Sequence, residues 1–143
     1  TTCTDNDLQI FYEYIMNNHN KKIKKHTLSN DDIMIFDVYT FKEKIRSQLV
    51  TCSIFEDYKI FPDKQFIFTS QVGDLYNEDG LAYALAISNE YPFLNIAMDD
   101  ESMISVRSCF SVNVSNNVLF SNMLIVAKSA DFLEQKLFGW DRM

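Results

Sequence analysis

The sequence predicts an α+β fold, with helices packed on a mostly antiparallel five-stranded sheet. Two observations carry this. Apolar residues recur at helical spacing near both ends and once in the middle of the chain. Between them lie short runs rich in β-branched and aromatic residues, bounded by turn signals. The order is helix, three strands, helix, two strands, helix (α-β-β-β-α-β-β-α), and runs of strands set apart from helices read as α+β.

The first helix is predicted over 7–18, DLQIFYEYIMNN, where Leu8, Phe11, Tyr12, Ile15 and Met16 keep helical spacing. Thr4, Asp5 and Asp7 supply acceptors and negative charge at its start, and Lys21 and Lys22 follow its end, as the helix dipole favours. The basic stretch 20–28, NKKIKKHTL, reads as a turn. Strands are predicted at 33–39 (IMIFDVY), 45–55 (IRSQLVTCSIF) and 64–72 (KQFIFTSQV), with FKEK at 41–44 as a charged connection.

After the loop 73–80, Asp79 is expected to cap a second helix, GLAYALAISNEY. Leu81, Ala82, Leu85, Ala86 and Asn89 are expected to share its face, and Pro92 to end it. A hairpin follows. Leu94, Ile96 and Met98 alternate on one strand, and Ile104, Val106 and Phe110 on the next. For both apolar sets to face one side, Ile96 must oppose Val106 and Met98 must oppose Ile104. A two-residue turn would place the sets on opposite faces, so a longer connection over Asp99–Met103 is expected. Asn116 or Asn117 is expected to cap a long last helix. Its stripe runs through Leu119, Met123, Val126, Ala130, Leu133 and Leu137, is widened by Phe120, Leu124 and Ala127, and stops at Gly139.

At 143 residues the chain has the size of one domain, 1–143, and its 47% hydrophobic content is enough for a core. Three glycines and two prolines leave little material for flexible linkers. A net charge of −7 argues against nucleic acid and anionic lipid, whose binding needs clustered cations, and suits a basic protein partner. Cys3, Cys52 and Cys109 are odd in number and far apart, which points to a reducing cytoplasm. No apolar run reaches the length of a membrane span, and no signal peptide is visible, although the chain opens at Thr1.

Catalytic, cofactor and metal residues are not nominated. His19 and His26, seven residues apart across a helix end, set no metal geometry and read as surface histidines. Asp99, Asp100 and Glu101 lack the ligand spacing of a calcium loop and read as a solvated turn, as do Asp31-Asp32 and Asp74…Glu78-Asp79. Cys52 and Cys109 fall in predicted strands with no base beside them. Lys21, Lys22, Lys24, Lys25 and His26 form the basic patch, read as a solvated loop or an edge strand guarded by lysine. No phosphate-cradling glycine loop or nucleophile elbow is present. Tyr58, Phe61, Phe66, Phe68, Tyr76 and Phe110 are too many to share one small core, and any exposed ones would mark a protein interface.

The element order, together with "ISNEYPFLNIAMDDESMISVRSCFSV" and "FSNMLIVAKSADFLEQKL", resembles two families: type III secretion chaperones and the bacterial YbjN-like proteins described as sensory transduction regulators. The resemblance covers residues 30 to 138. It implies a cytosolic, non-enzymatic, dimeric protein that holds an extended partner segment by groove capture and strand addition. Phe66, Phe68, Ile104 and Val106 would be its sheet residues. The expected function is a protein- or peptide-binding module, chaperone-like or regulatory, without cofactor. The alternatives are an immunity-type inhibitor of a basic toxin or nuclease and an enzyme with a carboxylate-only site.

Overall fold

A computed structural model describes residues 5–29, 31–40, 46–75 and 78–139. Cys3, Thr4, the FKEK connection, Ile45 and Tyr76 lie outside the described residues. The elements run α1 (Asn6–Asn18), a short 3-10 turn (Asn20–Lys22), β1 (Ile23–Leu28), β2 (Ile33–Tyr39), β3 (Ser47–Phe55), β4 (Gln65–Asp74), α2 (Glu78–Glu90), β5 (Ile96–Met98), β6 (Met103–Ser111) and α3 (Asn116–Phe138). The fold is α+β, with one antiparallel sheet in the order β1-β2-β3-β4-β6-β5.

The sheet has six strands, not five. The added one is β1, in the basic stretch expected to be a turn. Its ladder to β2 runs from Ile23↔Val38 to Leu28↔Met34, with a bulge between Ile23 and Lys25. Only Ile23 is buried there, so the segment offers almost no apolar alternation to read. Backbone hydrogen bonds to β2 hold it, and lysines coat the sheet edge it forms.

Helices cover one face. Met34, Phe36, Val38, Val50, Cys52, Phe66, Phe68, Ile104 and Val106 point into a core closed by Leu8, Phe11 and Ile15 of α1 and by the stripe of α3. The Phe11 ring sits 5.3 Å from Phe66 and 5.9 Å from Phe68. Asp5 caps α1, its Oδ1 accepting from the Asp7 and Leu8 N–H groups at 2.9 and 3.1 Å. Lys64 Nζ reaches Asp5 and Asp7 at 3.0 and 2.6 Å, tying this helix start to the sheet.

The cap of helix α3 is Ser115, one residue before the first expected cap and two before the second, because Ser115 holds the extended Ncap conformation and Asn116 is already helical. Its predicted stripe is buried through Leu133, and Gly139, at φ 77°, ends it in a conformation that suits glycine. Gly73 lies at a bulge in β4, where an added Cβ would come within 2.6 Å of the Phe138 ring, so the end of α3 can lie on β4 only over a glycine.

Helix α2 starts at Glu78, which places Asp79 inside its first turn rather than at its cap. Its buried face is Ala84 and Ile87, with Leu81 partly buried, while Leu85 is 55% exposed. The expected face was one step off because Ala82, Ala84 and Ala86 spread small apolar residues around the whole helix, which blurs its period. The hairpin register is Ile96↔Val106 and Met98↔Ile104, as the shared-face argument requires. Asp99 closes the connection. Its Oδ1 accepts from the Glu101 and Met103 N–H groups, and Ser102 takes φ 66°. Met98 at the strand end is exposed rather than covered.

Candidate functional site

With all the core on one side, the other face of the sheet is bare. Side chains alternate along strands, so the odd-numbered residues of β2, β3, β4 and β6 share that face over most of their length. One row runs Ile33–Ser53–Ile67–Cys109 and the next Ile35–Thr51–Thr69–Arg107. Leu49 is 57% exposed, and Ile33 and Ile35 are more than a third exposed. On these strands Asp37, Arg107 and, past the β4 bulge, Asp74 opposite Met103 bring charge to this face, in a chain that is 23% charged. The face is therefore apolar and hydroxyl-rich, unlike an ordinary solvated sheet surface.

Two hollows open on it. One, of about 550 Å³, is lined by Ile35, Asp37, Leu49, Thr51, Thr69 and Gln71, with Glu134 of α3 at its border. The other, of about 680 Å³, lies at the β6 edge between Phe55, Phe61, Ile67, Ala97, Arg107 and Cys109. Phe55 and Phe61 meet edge to face at 6.2 Å and form its aromatic wall.

This second hollow exists because β5 is short. It pairs with 104–106 only, while β6 continues to Ser111. The ladder phase decides which backbone groups are left outside. The Val112 N–H bonds Lys64 C=O, so residues 106, 108 and 110 bond toward β4 and residues 107, 109 and 111 point the other way. Arg107 N–H still reaches Asn95 C=O at 2.9 Å. Beyond it, Cys109 N–H and C=O and Ser111 N–H point outward from the edge. On the helix side of the same edge, a hollow of about 230 Å³ is lined by Phe93, Ser108, Phe110, Asn122, Ile125 and Val126. The Ser108 hydroxyl is buried there with no hydrogen-bond partner among the described residues.

The other residues singled out in the sequence do not converge on a site. His19 stacks on Phe120 at 3.9 Å and meets the Tyr14 hydroxyl at 3.1 Å. His26 sits on β1, with the Tyr12 hydroxyl at 2.7 Å from its Nδ1. Cys52 is fully buried. Cys109 is exposed at the β6 edge, and desolvation raises its thiol pKa against the opposing pull of Arg107, which disfavours a thiolate nucleophile. Among the described residues, no group of three or more His, Cys, Asp or Glu could hold a metal ion. No helix of the described residues is long and apolar enough to cross a membrane. Of the six aromatics that exceed one core, Phe66 and Phe68 are buried, Phe110 is partly buried, Phe61 lines a hollow, and Tyr58 is 64% exposed.

Sequence reasoning missed one polar centre. Asp131 of α3 is 4% exposed, receives Thr40 Oγ1 at 3.1 Å, and is clamped by Arg46, whose Nε lies 3.1 Å from Oδ1. Glu134, one turn on, lies 4.0 Å from Arg46. A charged pair inside an apolar α3 stripe was the available signal. The clamp joins the end of β2 and the start of β3 to the helix, so its geometry is structural.

No protein-family model matches the chain, and no curated protein is similar to it.

Proposed function

We propose that this chain is a non-enzymatic protein-binding module, chaperone-like or regulatory, whose partner lies on the bare sheet face. The observation that carries the reading is the exposure of Leu49, Ile33 and Ile35 on the sheet face that the helices leave bare, with Leu49 and Ile35 lining a hollow there. Packing that face at ~25 cal/mol per Å² of apolar surface gives a partner its main driving force. The net charge of −7 selects a partner whose apolar patch or segment is rimmed by lysine and arginine.

A photo-crosslinking residue at Leu49 tests this, against the same residue at Glu13 on the exposed side of α1. The expected result is a discrete protein adduct formed at position 49 only, and weakened when Ile35→Asp puts a charge on the neighbouring row. Equal adducts at both positions, or none at 49, would overturn the reading.

A second reading, an immunity-type inhibitor of a basic toxin or nuclease, draws on charge segregation. Lys21, Lys22, Lys24 and Lys25 are gathered at the β1 edge, which leaves the rest of the molecule more acidic than the net charge states. Its signature is an association rate that rises steeply as salt is lowered.

A further inference from the structure

We infer that the hollow beside β6 is a binding site for a small apolar carboxylate, a ligand with an aromatic or aliphatic body and a single negative charge. This ligand differs in class and in place from the protein partner of the bare face, and its binding does not depend on that partner.

The body of the hollow is apolar and of ligand size. Its volume of about 680 Å³ falls within the ~300–1,000 Å³ of small-molecule sites. Phe55 ends β3, and the connection to β4 brings Phe61 back against it, so two rings in edge-to-face contact form one wall. Ile67 of β4, paired with Cys109, and Ala97 of β5 add apolar surface. Because β5 pairs only with 104–106, no strand fills the place beside Cys109, and the hollow reaches the backbone of β6 there.

The polar groups on this wall are donors suited to an anion. Arg107 lines the hollow, is exposed, and forms no ion pair among the described residues. Its cross-strand neighbour on β4 is Thr69, and Asn95 lies on its other side, so both flanks are neutral. Its charge acts on the Cys109 thiol two residues along the same face, which places the guanidinium over the hollow. The Arg107 N–H is taken by Asn95 C=O at 2.9 Å, and the next outward N–H is that of Cys109. A guanidinium fork matches the two oxygens of a carboxylate, and the Cys109 N–H adds a backbone donor beside it. One cation balances one negative charge. The net charge of −7 of the chain repels a second, which disfavours phosphate esters and dicarboxylates.

Titration of the isotope-labelled full chain with naphthylacetate, followed by amide NMR, is the test. Naphthylacetamide, of the same shape without the charge, is its match. Naphthylacetate is expected to saturate the site with a Kd of about 1 mM or below, the range open to a ligand of this size. The shifted amides should centre on Phe61, Ile67, Arg107 and Cys109. The amide should bind about tenfold more weakly, and Arg107→Gln should weaken naphthylacetate by about the same factor while leaving the amide unchanged. Phe61→Ala should weaken both ligands alike, and Leu49→Asp on the bare face neither. Absence of saturable binding, equal affinity for acid and amide, an Arg107→Gln variant that binds naphthylacetate as the natural chain does, or shifts centred on the Leu49 hollow would each overturn the assignment. Shifts of the same four amides on dilution without ligand would overturn it too, by putting a second copy of the chain in the hollow. Unchanged spectra away from the site show that each variant kept the fold.

Discussion

Replacing Asp131 by Ala removes the acceptor at the centre of the buried clamp. Arg46 loses the hydrogen bonds that its Nε and Nη2 donate to the carboxylate, and Thr40 loses the partner of its hydroxyl. The Arg46 side chain is only 13% exposed, so its charge remains largely out of water. Removing one member of such a pair typically costs ~3–5 kcal/mol. Glu134, already 4.0 Å from the guanidinium, offsets part of that loss, which places the expected value near ~3 kcal/mol. Against a domain stability of ~5–15 kcal/mol this is a large change. Urea unfolding followed by circular dichroism measures it as a lower midpoint at unchanged slope. The double variant Arg46→Met, Asp131→Leu removes both charges and fills the space with apolar groups, and should be more stable than Asp131→Ala alone. A loss below ~1 kcal/mol for Asp131→Ala, or strictly additive single and double variants, would show that the clamp is not the coupled buried unit described.

Other substitutions address the remaining polar contacts. Lys64→Met should cost ~1 kcal/mol by releasing Asp5 and Asp7 at the start of α1. The hydrogen bonds to Asp7 and Asp5 raise the Lys64 pKa above its ordinary value, so its contribution is full below the unfolded pKa near ~10.4 and declines as pH rises beyond it. Chemical denaturation of both proteins from neutral to strongly alkaline pH should show the difference shrinking only at the alkaline end. His19 behaves in the opposite sense. Desolvation, then the charge of Lys22, lowers its pKa in the folded chain, so its contribution is present above the unfolded value near ~6.5 and is lost as the pH falls below it. The melting temperature of the natural chain should therefore drop between neutral and mildly acidic pH more than that of His19→Gln, and parallel curves would count against this. Ser108→Ala removes a buried hydroxyl that has no partner among the described residues, and should be neutral or raise stability by up to ~1–2 kcal/mol. A clear loss on calorimetry would mean that the hydroxyl is satisfied.

Local pattern was enough for much of this fold. β2 coincides with its apolar run, and the ends of α2 and α3 fall near Pro92 and at Gly139 because backbone chemistry acts there at short range. Even the register of the β5–β6 hairpin was legible, since a slip by one residue would turn one apolar set out to water. Strand β1 was not legible, because its stabilisation comes from backbone bonds to β2 and its side chains are nearly all solvated. The buried face of α2 was hidden by alanines that mark no side.

The site belongs to a longer range. Arg46 and Asp131 are 85 residues apart, and Lys64 and Asp5 are 59 apart, so neither pair has a local signature. The open β6 edge depends on a mismatch of lengths, with three residues in β5 facing nine in β6. Alternation along each strand says which side of it is apolar, and that much is local chemistry. Which face the helices take, and which backbone groups are left pointing outward, follow only when every strand has found its neighbour, because hydrogen bonds and burial are assigned between segments that the chain brings together from far apart.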